Sequence, residues 1–485
     1  PYTTLFRSGG FAYCELGCGQ GLTTAALAAA NPDGAFVAID FNPAHIARAE
    51  ETAPQAGLGN VRYLEASFED LVGPDAPDLP MFDYVTMHGV WSWVSADLRA
   101  AITRFLAARL KPGGAVYLSY NALPGWTAAL PLQHLIRGFA AEARGRSDER
   151  VQEAFQRLGR VAEAGSPFVD ENPFLARIAK MAEQGETAYL AHEYLTPAWA
   201  PQYHAQVVAD LAEDKLDFVG STAIPYNFPE LVLEEGQRAL RNECADPVLR
   251  ETLKDYFTNR GFRTDVFVRG RRSLHAGERE ERIGALRLGA AVHRTAQNRR
   301  LKVPAGQIDL AEEVYEPIFD ALAERPHRVA ELLALPGLPP GRRSPVEIAG
   351  MLASLRAAVP AREEGAPCPP PPVPLNGVLG RTALEMTGNA ASAVVLPGLG
   401  TALSCSLLEC AVLHLASESR SLAVRPLAEA IWAPIEARGE AMIDGGRPVE
   451  GREANIAILE KRVGEVIADR THLWRMHGAL APDVA

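Results

Sequence analysis

The sequence has no unbroken apolar run long enough to span a membrane, no CxxC pair and no excess of basic residues. Each absence removes a class of protein. The apolar run from Ala391 to Ala416 is interrupted by Pro397-Gly398 and Gly400 and carries Glu409 and His414. It predicts a strand, a turn and a buried helix starting after Thr401, not a transmembrane helix, and no membrane partner. The six cysteines (14, 18, 244, 368, 405 and 410) have neither disulfide-framework nor metal-ligand spacing. They read as reduced, mostly buried thiols of a cytoplasmic protein. His192, Glu193 and His204 lack a close third ligand, so no metal is expected. A net charge of −12 argues against broad nucleic-acid binding. The basic runs Arg269-Gly270-Arg271-Arg272 and Arg299-Arg300-Leu301-Lys302 read as solvated faces. The first ten residues lack the apolar core of a signal peptide, and no Met initiates the chain. Pro1 to Ser8 match nothing expected ahead of a first strand and read as a truncated start.

What is present is ordinary in bulk, with 47% apolar and 22% charged residues, and 485 residues predict two or three domains. The informative stretch is Cys14-Glu15-Leu16-Gly17-Cys18-Gly19-Gln20-Gly21. Phe11 to Cys14 reads as a short buried strand before it, and Leu22 to Ala30 as an alanine-rich helix after it. Glycines between strand and helix allow a tight turn and let a ligand approach the backbone at a helix N-terminus. A second strand, Ala35 to Ile39, ends on Asp40, whose carboxylate can accept hydrogen bonds from both hydroxyls of a ribose. This is the pattern of a nucleoside site. A dinucleotide is disfavoured because the glycines are spaced G-x-G-x-G rather than G-x-G-x-x-G. Glu15 would also repel a pyrophosphate and attract a ligand carrying an ammonium and a sulfonium. S-adenosylmethionine (SAM) meets that description, and a nicotinamide-dependent oxidoreductase does not.

Further elements follow in order. Pro43 to Ala53 predicts a helix, and Asn60 to Glu65 a third strand. Phe82 to Met87 predicts a fourth strand running into His88-Gly89-Val90-Trp91-Ser92-Trp93-Val94. A helix from Ala96 to Leu110 ends at Lys111-Pro112-Gly113-Gly114, before a fifth strand from Ala115 to Tyr120 that runs into Asn121-Ala122-Leu123-Pro124-Gly125-Trp126. Residues 127–189 are helical in pattern and read as an inserted cap, after which 217–221 and 261–269 supply two late strands. Ligands of open α/β sheets bind beyond strand carboxyl ends, which places His88 and Trp91 near the reacting group.

Strand–ELGCGQG–helix–strand–Asp resembles motifs I and II of the class I SAM-dependent methyltransferases. With HGVWSWV, SYNALPGW, HEYL and RTDVFVRG added, the chain resembles the methyltransferases that carry a methyltransferase regulatory domain, over roughly residues 11–270. The resemblance implies an α/β, Rossmann-like core with a helical insertion and SAM as cofactor. It implies cofactor contacts at Glu15, Gly17, Gly19, Gly21, Asp40, Phe41, Ser67, Phe68 and His88, with Ser67 replacing the acidic residue common at that place. His88, Tyr120 and Asn121 are the candidate catalytic residues, and Trp91 and Trp126 the candidate substrate contacts.

The expected division is a SAM-binding core over 1–126, a helical cap over 127–189 and completion of the sheet over 190–272. A winged-helix-like module over 303–360, a proline-rich extended linker over 361–375 and a mainly helical region over 376–485 follow. Some members of the resembled group are bacterial protein-lysine methyltransferases, which makes a protein lysine the preferred acceptor. A small-molecule methyltransferase and a SAM-binding regulatory or scaffold protein without turnover are the alternatives. Homodimerisation stays open.

Overall fold

A computed structural model describes residues 10–172, 187–341, 343–386 and 392–485. Pro1–Ser8, read above as a truncated start, and part of the expected cap lie outside the described residues. Three strands open the fold: β1 (Ala12–Leu16), β2 (Ala35–Asp40) and β3 (Val61–Glu65). β1 is buried along its whole length, as a strand covered on both faces must be. The pairs β1–β2 and β2–β3 are parallel, with Ala12 beside Ala35 and Phe36 beside Val61. Helix α1 (Leu22–Ala30) connects β1 to β2, and α2 (Pro43–Gln55) connects β2 to β3. Pro43 occupies the first position of α2, where its missing N–H costs nothing, and Asn42 caps it by accepting from the Ala44 N–H.

With β4 (Phe82–Met87), β5 (Leu110–Asn121), β6 (Leu216–Ser221) and β7 (Phe262–Arg269), one seven-stranded sheet forms in the order β3-β2-β1-β4-β5-β7-β6. The two late strands therefore complete the sheet begun at β1. Both of their pairings are antiparallel: β5 runs against β7 from Ala115–Val268 to Asn121–Phe262, and β6 against β7 with an irregularity between Phe218 and Gly220. The sheet is accordingly mixed. One local expectation fails. Lys111-Pro112-Gly113-Gly114 is not a turn between helix and strand, because α3 (Ala96–Arg109) passes directly into β5 and Gly113 absorbs the irregularity at φ 77°.

Contacts group the chain into two compact units that do not follow sequence order. One contains residues up to Ala66, Pro80–Tyr84 and Arg272–Ala485; the other contains Ser67–Leu79 and Val85–Arg271. In the first unit, α1 turns Ala25, Ala26 and Ala30 onto Val373, Leu375, Val378 and Val395. Small side chains let these elements approach closely, and the alanine-rich composition of α1 is thereby explained. The proline-rich stretch is tied to the end of α1 at its start. Arg362 donates to Asn31 Oδ1 at 2.6 Å and to Asp33 Oδ1 at 3.0 Å, while Asn31 Nδ2 donates to the Gly400 carbonyl at 2.8 Å. Three helices (Glu312–Glu324, Val329–Leu333 and Pro345–Ser354) accompany a three-stranded sheet of Arg287–Ala290, His327–Arg328 and Ala358–Pro360. The strand Ser392–Leu396 and the helix Leu407–Ser419 match the reading of the apolar stretch, but a second strand, Thr401–Cys405, pairs antiparallel with the first where none was expected. No described helix is long and apolar enough to cross a membrane.

The second unit carries helices α4 (Leu130–Glu142), α5 (Ser147–Glu163) and one over Thr187–Leu195, packed around Leu132, Ile136, Val151, Leu158 and Leu190. It also buries an ionic network between β5 and β7. Arg263, fully buried, donates to both carboxylate oxygens of Asp255 at 2.7 and 2.8 Å and through Nε to Asp265 Oδ2 at 2.7 Å. The Tyr120 hydroxyl donates to the same Asp265 oxygen at 2.8 Å and lies 3.1 Å from His204 Nδ1. Burial pushes the Asp265 carboxyl up, but Arg263 and His204 outweigh it and hold it below the usual range. Removing one partner strands the others in a medium that solvates charge poorly. Arg263→Ala should therefore lower the unfolding free energy by about 3–5 kcal/mol, measured by urea denaturation.

Candidate functional site

The loop between β1 and α1 is fixed by its own backbone. Gly17 and Cys18 both donate their N–H groups to the Ile39 carbonyl, at 2.8 and 3.0 Å, and Gly21 donates to Cys18 at 3.0 Å. The Gly19 N–H turns instead to Asp40 Oδ2 at 2.8 Å. Gly17, Gly19 and Gly21 all have positive φ, between 55° and 76°. Two of these glycines serve different ends. A Cβ on Gly21 would lie 2.6 Å from Tyr63 Cε1 and 2.9 Å from Ala49 Cβ, so this residue allows helix and strand to close together. A Cβ on Gly19 would meet nothing within 4 Å. Its side of the loop is open.

Two carboxylates flank that loop. Glu15, buried at the end of β1, accepts a short hydrogen bond from the Thr24 hydroxyl of α1. Burial pushes its carboxyl up to about 7, against the Thr24 bond and with a contribution from the charge of Asp40. A pair of acidic groups held together with little water suits a cationic ligand, which would restore the charged form of Glu15. The residues therefore fit SAM, whose ammonium and sulfonium are positive, better than a pyrophosphate. Asp40 is more heavily engaged than the sequence implies. Besides the Gly19 N–H on Oδ2, its Oδ1 accepts from the Asn42 N–H at 3.0 Å and meets His45 Nδ1 at 3.2 Å. Phe41 follows at 76% exposure, a bare aromatic ring next to the carboxylate.

In the second unit, Ser67 is occupied by its own turn, since its N–H and hydroxyl both donate to Asp70 Oδ2, at 2.8 and 2.7 Å. Phe68 beside it is half-buried. His88, at the end of β4, is exposed; its Nδ1 lies 2.8 Å from the Tyr117 hydroxyl and its ring stacks on Tyr117 at 10° between planes. Phe262 stands edge-on to His88 at 74° and is 43% exposed. Burial of part of the ring pulls the His88 pKa down. Asn121 is buried, and its Nδ2 donates to Glu193 Oε1 at 2.6 Å, which Trp199 Nε1 reaches at 3.2 Å.

Three of the expected roles are corrected. Tyr120 is fully buried and its hydroxyl belongs to the Asp265–Arg263 network, so it is not a catalytic group at a strand end. Side chains alternate along a strand, and the residues of β5 that share the face of Asn121 are Ser119 and Tyr117, not Tyr120. Trp91 is fully buried with its indole N–H donated to Gln202 Oε1 at 2.6 Å. Trp126 packs edge-on to Trp199 in the core of the helical cap. Both tryptophans are packing residues, not substrate contacts. Tyr117, Phe262, Thr24 and His45 went unnoticed in the sequence. The period of two in Val116-Tyr117-Leu118-Ser119 could have identified Tyr117. His204 lies in the Tyr120 network, and the side chain of His192 lies outside the described residues.

Comparison with known proteins adds family evidence. A family described as "Methyltransferase domain" matches residues 14–116, and one described as "Predicted methyltransferase regulatory domain" matches 186–269. An uncharacterised protein of Synechocystis is 37% identical over 323 residues, 66% of this chain and 63% of that protein. The chain thus matches under two thirds of the length of that relative. An uncharacterised protein of Rickettsia prowazekii is 29% identical over 185 residues, 37% of this chain and 71% of that protein. Among solved structures, PKMT2 from Rickettsia typhi in complex with AdoHcy shares the fold with a TM-score of 0.67 at 17% identity, covering 98% of this chain and 94% of that one.

The raised pKa of Glu15 has a consequence for the free protein. The folded state holds this proton up to about 7, whereas the ordinary value is 4.5, so the group stabilises the fold at low pH. That contribution is complete below 4.5 and is lost as pH rises through about 7. Glu15→Gln should remove it. In thermal melts from about pH 5 to 8, the Tm of the wild type relative to the variant should decline as pH rises.

Proposed function

We propose that the chain is a SAM-dependent methyltransferase carrying a methyltransferase regulatory domain, and that it methylates protein lysine side chains. The observation carrying the methyl-transfer part is the open face of Gly19 set beside Glu15 and Asp40. Gly19 and Asp40 would hold the nucleoside, Phe41 would lie against its base, and Glu15 would face its positive end. SAM, when bound, supplies a methyl group on a sulfonium, ready for in-line displacement. The protein's own task is then to bind, orient and exclude water.

The lysine part rests on the partly exposed ring cluster of His88, Tyr117 and Phe262. Aromatic faces hold an alkylammonium by its positive charge and shield it from water. Burial lowers the pKa of His88, so the ring is neutral near pH 7 and does not repel a cationic side chain. Desolvation of the amine against these rings, once a substrate covers them, would lower its own pKa and favour the neutral nucleophile. The fold shared with PKMT2 and the resemblance to bacterial protein-lysine methyltransferases support the same acceptor.

The test is incubation of the purified chain with SAM labelled on its methyl group and a lysate of bacterial cells, followed by identification of the labelled species. Methyl-lysine in protein is the expected product; label confined to small molecules would point to the other acceptor class. With a substrate protein in hand, Phe262→Ala should raise KM about three- to tenfold and leave the Kd of S-adenosylhomocysteine unchanged. An equal rise in both would place Phe262 in the general fold and not at the acceptor.

A further inference from the structure

We infer that His45 occupies the ribose-binding carboxylate in the free protein and that the cofactor must displace it. The inference rests on the proposed cofactor reading and concerns the affinity of that same site. A carboxylate offers about four lone-pair directions. Asp40 already spends one of these on the Gly19 N–H at 2.8 Å, one on the Asn42 N–H at 3.0 Å and one on His45 Nδ1 at 3.2 Å. A ribose diol brings two more donors, so one of the three present must leave.

The three donors are not equally free to go. Gly19 belongs to the loop whose neighbours Gly17 and Cys18 are pinned to the Ile39 carbonyl, and its N–H cannot turn without unmaking that loop. Asn42 is the N-cap of α2, with its own side chain bonded to the Ala44 N–H, so its backbone is set by the helix. His45 is a side chain on the first turn of α2, 39% exposed, making the longest of the three contacts. A rotamer change moves it into water at little cost. His45 thus stands in for one ribose hydroxyl. It satisfies a buried carboxylate that would otherwise face Glu15 with one fewer donor, and it competes with the ligand for the same lone pair.

The contact sets a sign. Replacing His45 by a residue that cannot donate frees the lone pair in advance, and the ligand no longer has a hydrogen bond to break. One net hydrogen bond corresponds to roughly a two- to tenfold change in affinity. The test is calorimetric titration with S-adenosylhomocysteine of wild type, His45→Ala and His45→Phe, together with nitrogen-15 NMR of the histidine rings of the wild type. Tighter binding by both variants, two- to tenfold, and a shift of the His45 Nδ1 resonance on adding ligand are the expected results. Unchanged or weaker binding by both variants, or a His45 resonance that ignores the ligand, would overturn the inference and leave the cofactor reading standing. Failure of the wild type to bind S-adenosylhomocysteine at all would overturn both.

Discussion

The shared acceptance of two backbone N–H groups by the Ile39 carbonyl is what the cofactor end of this protein depends on. It fixes the chain immediately after β1 against the end of β2. With Gly17 and Cys18 held there, the Gly19 N–H has one direction left, and Asp40 is in it. The carboxylate therefore does two jobs. It completes the turn, and it presents what remains of its lone pairs to a ligand. The arrangement is made by backbone N–H groups, which explains why the positions with positive φ are filled by glycine and why the intervening Cys18 and Gln20 need not be.

The charge around that loop is organised by burial more than by pairing. Glu15 has a neutral partner in Thr24, and its environment favours the protonated form until a positive group arrives. The network around Asp265 works the other way, because Arg263 supplies the positive charge permanently and keeps that carboxylate ionised. One acidic site is thus left responsive to a ligand, and the other is locked into the structure. The sequence contains both as ordinary acidic residues; the distinction lies in whether an arginine stands opposite.

Much of the first site was legible because its demands are local. Positive φ at Gly17, Gly19 and Gly21 and a carboxylate at the end of the next strand leave a mark within a short window of sequence. The late strands were legible for a similar reason, since Phe262 to Arg269 has strand-like composition throughout. The errors have two sources. The strand-end position suggests Tyr120, but strand alternation puts Tyr117, and not Tyr120, on the face of Asn121. Position after a strand end suggests Trp91 and Trp126 as substrate contacts, whereas their burial depends on partners far away in sequence, Gln202 and Trp199 among them. Composition reads the proline-rich stretch as an extended linker, and nothing in it announces that Arg362 ends on Asn31.

That last contact spans 331 positions of the chain, and the alanine face of α1 likewise waits for Val373 and Leu375. A chain emerging from a ribosome completes β1, α1 and β2 early, yet the partners of α1 are synthesised only after most of the protein has left the exit tunnel. Until then a row of alanines and a set of unmatched polar groups at the end of α1 stay open to solvent or to a chaperone. Contacts of such separation slow folding because the intervening loop must be ordered before they form. The nucleoside loop is therefore complete in sequence long before its supporting helix is complete in structure, and residues between Arg362 and Val395 supply the last of the contacts it needs.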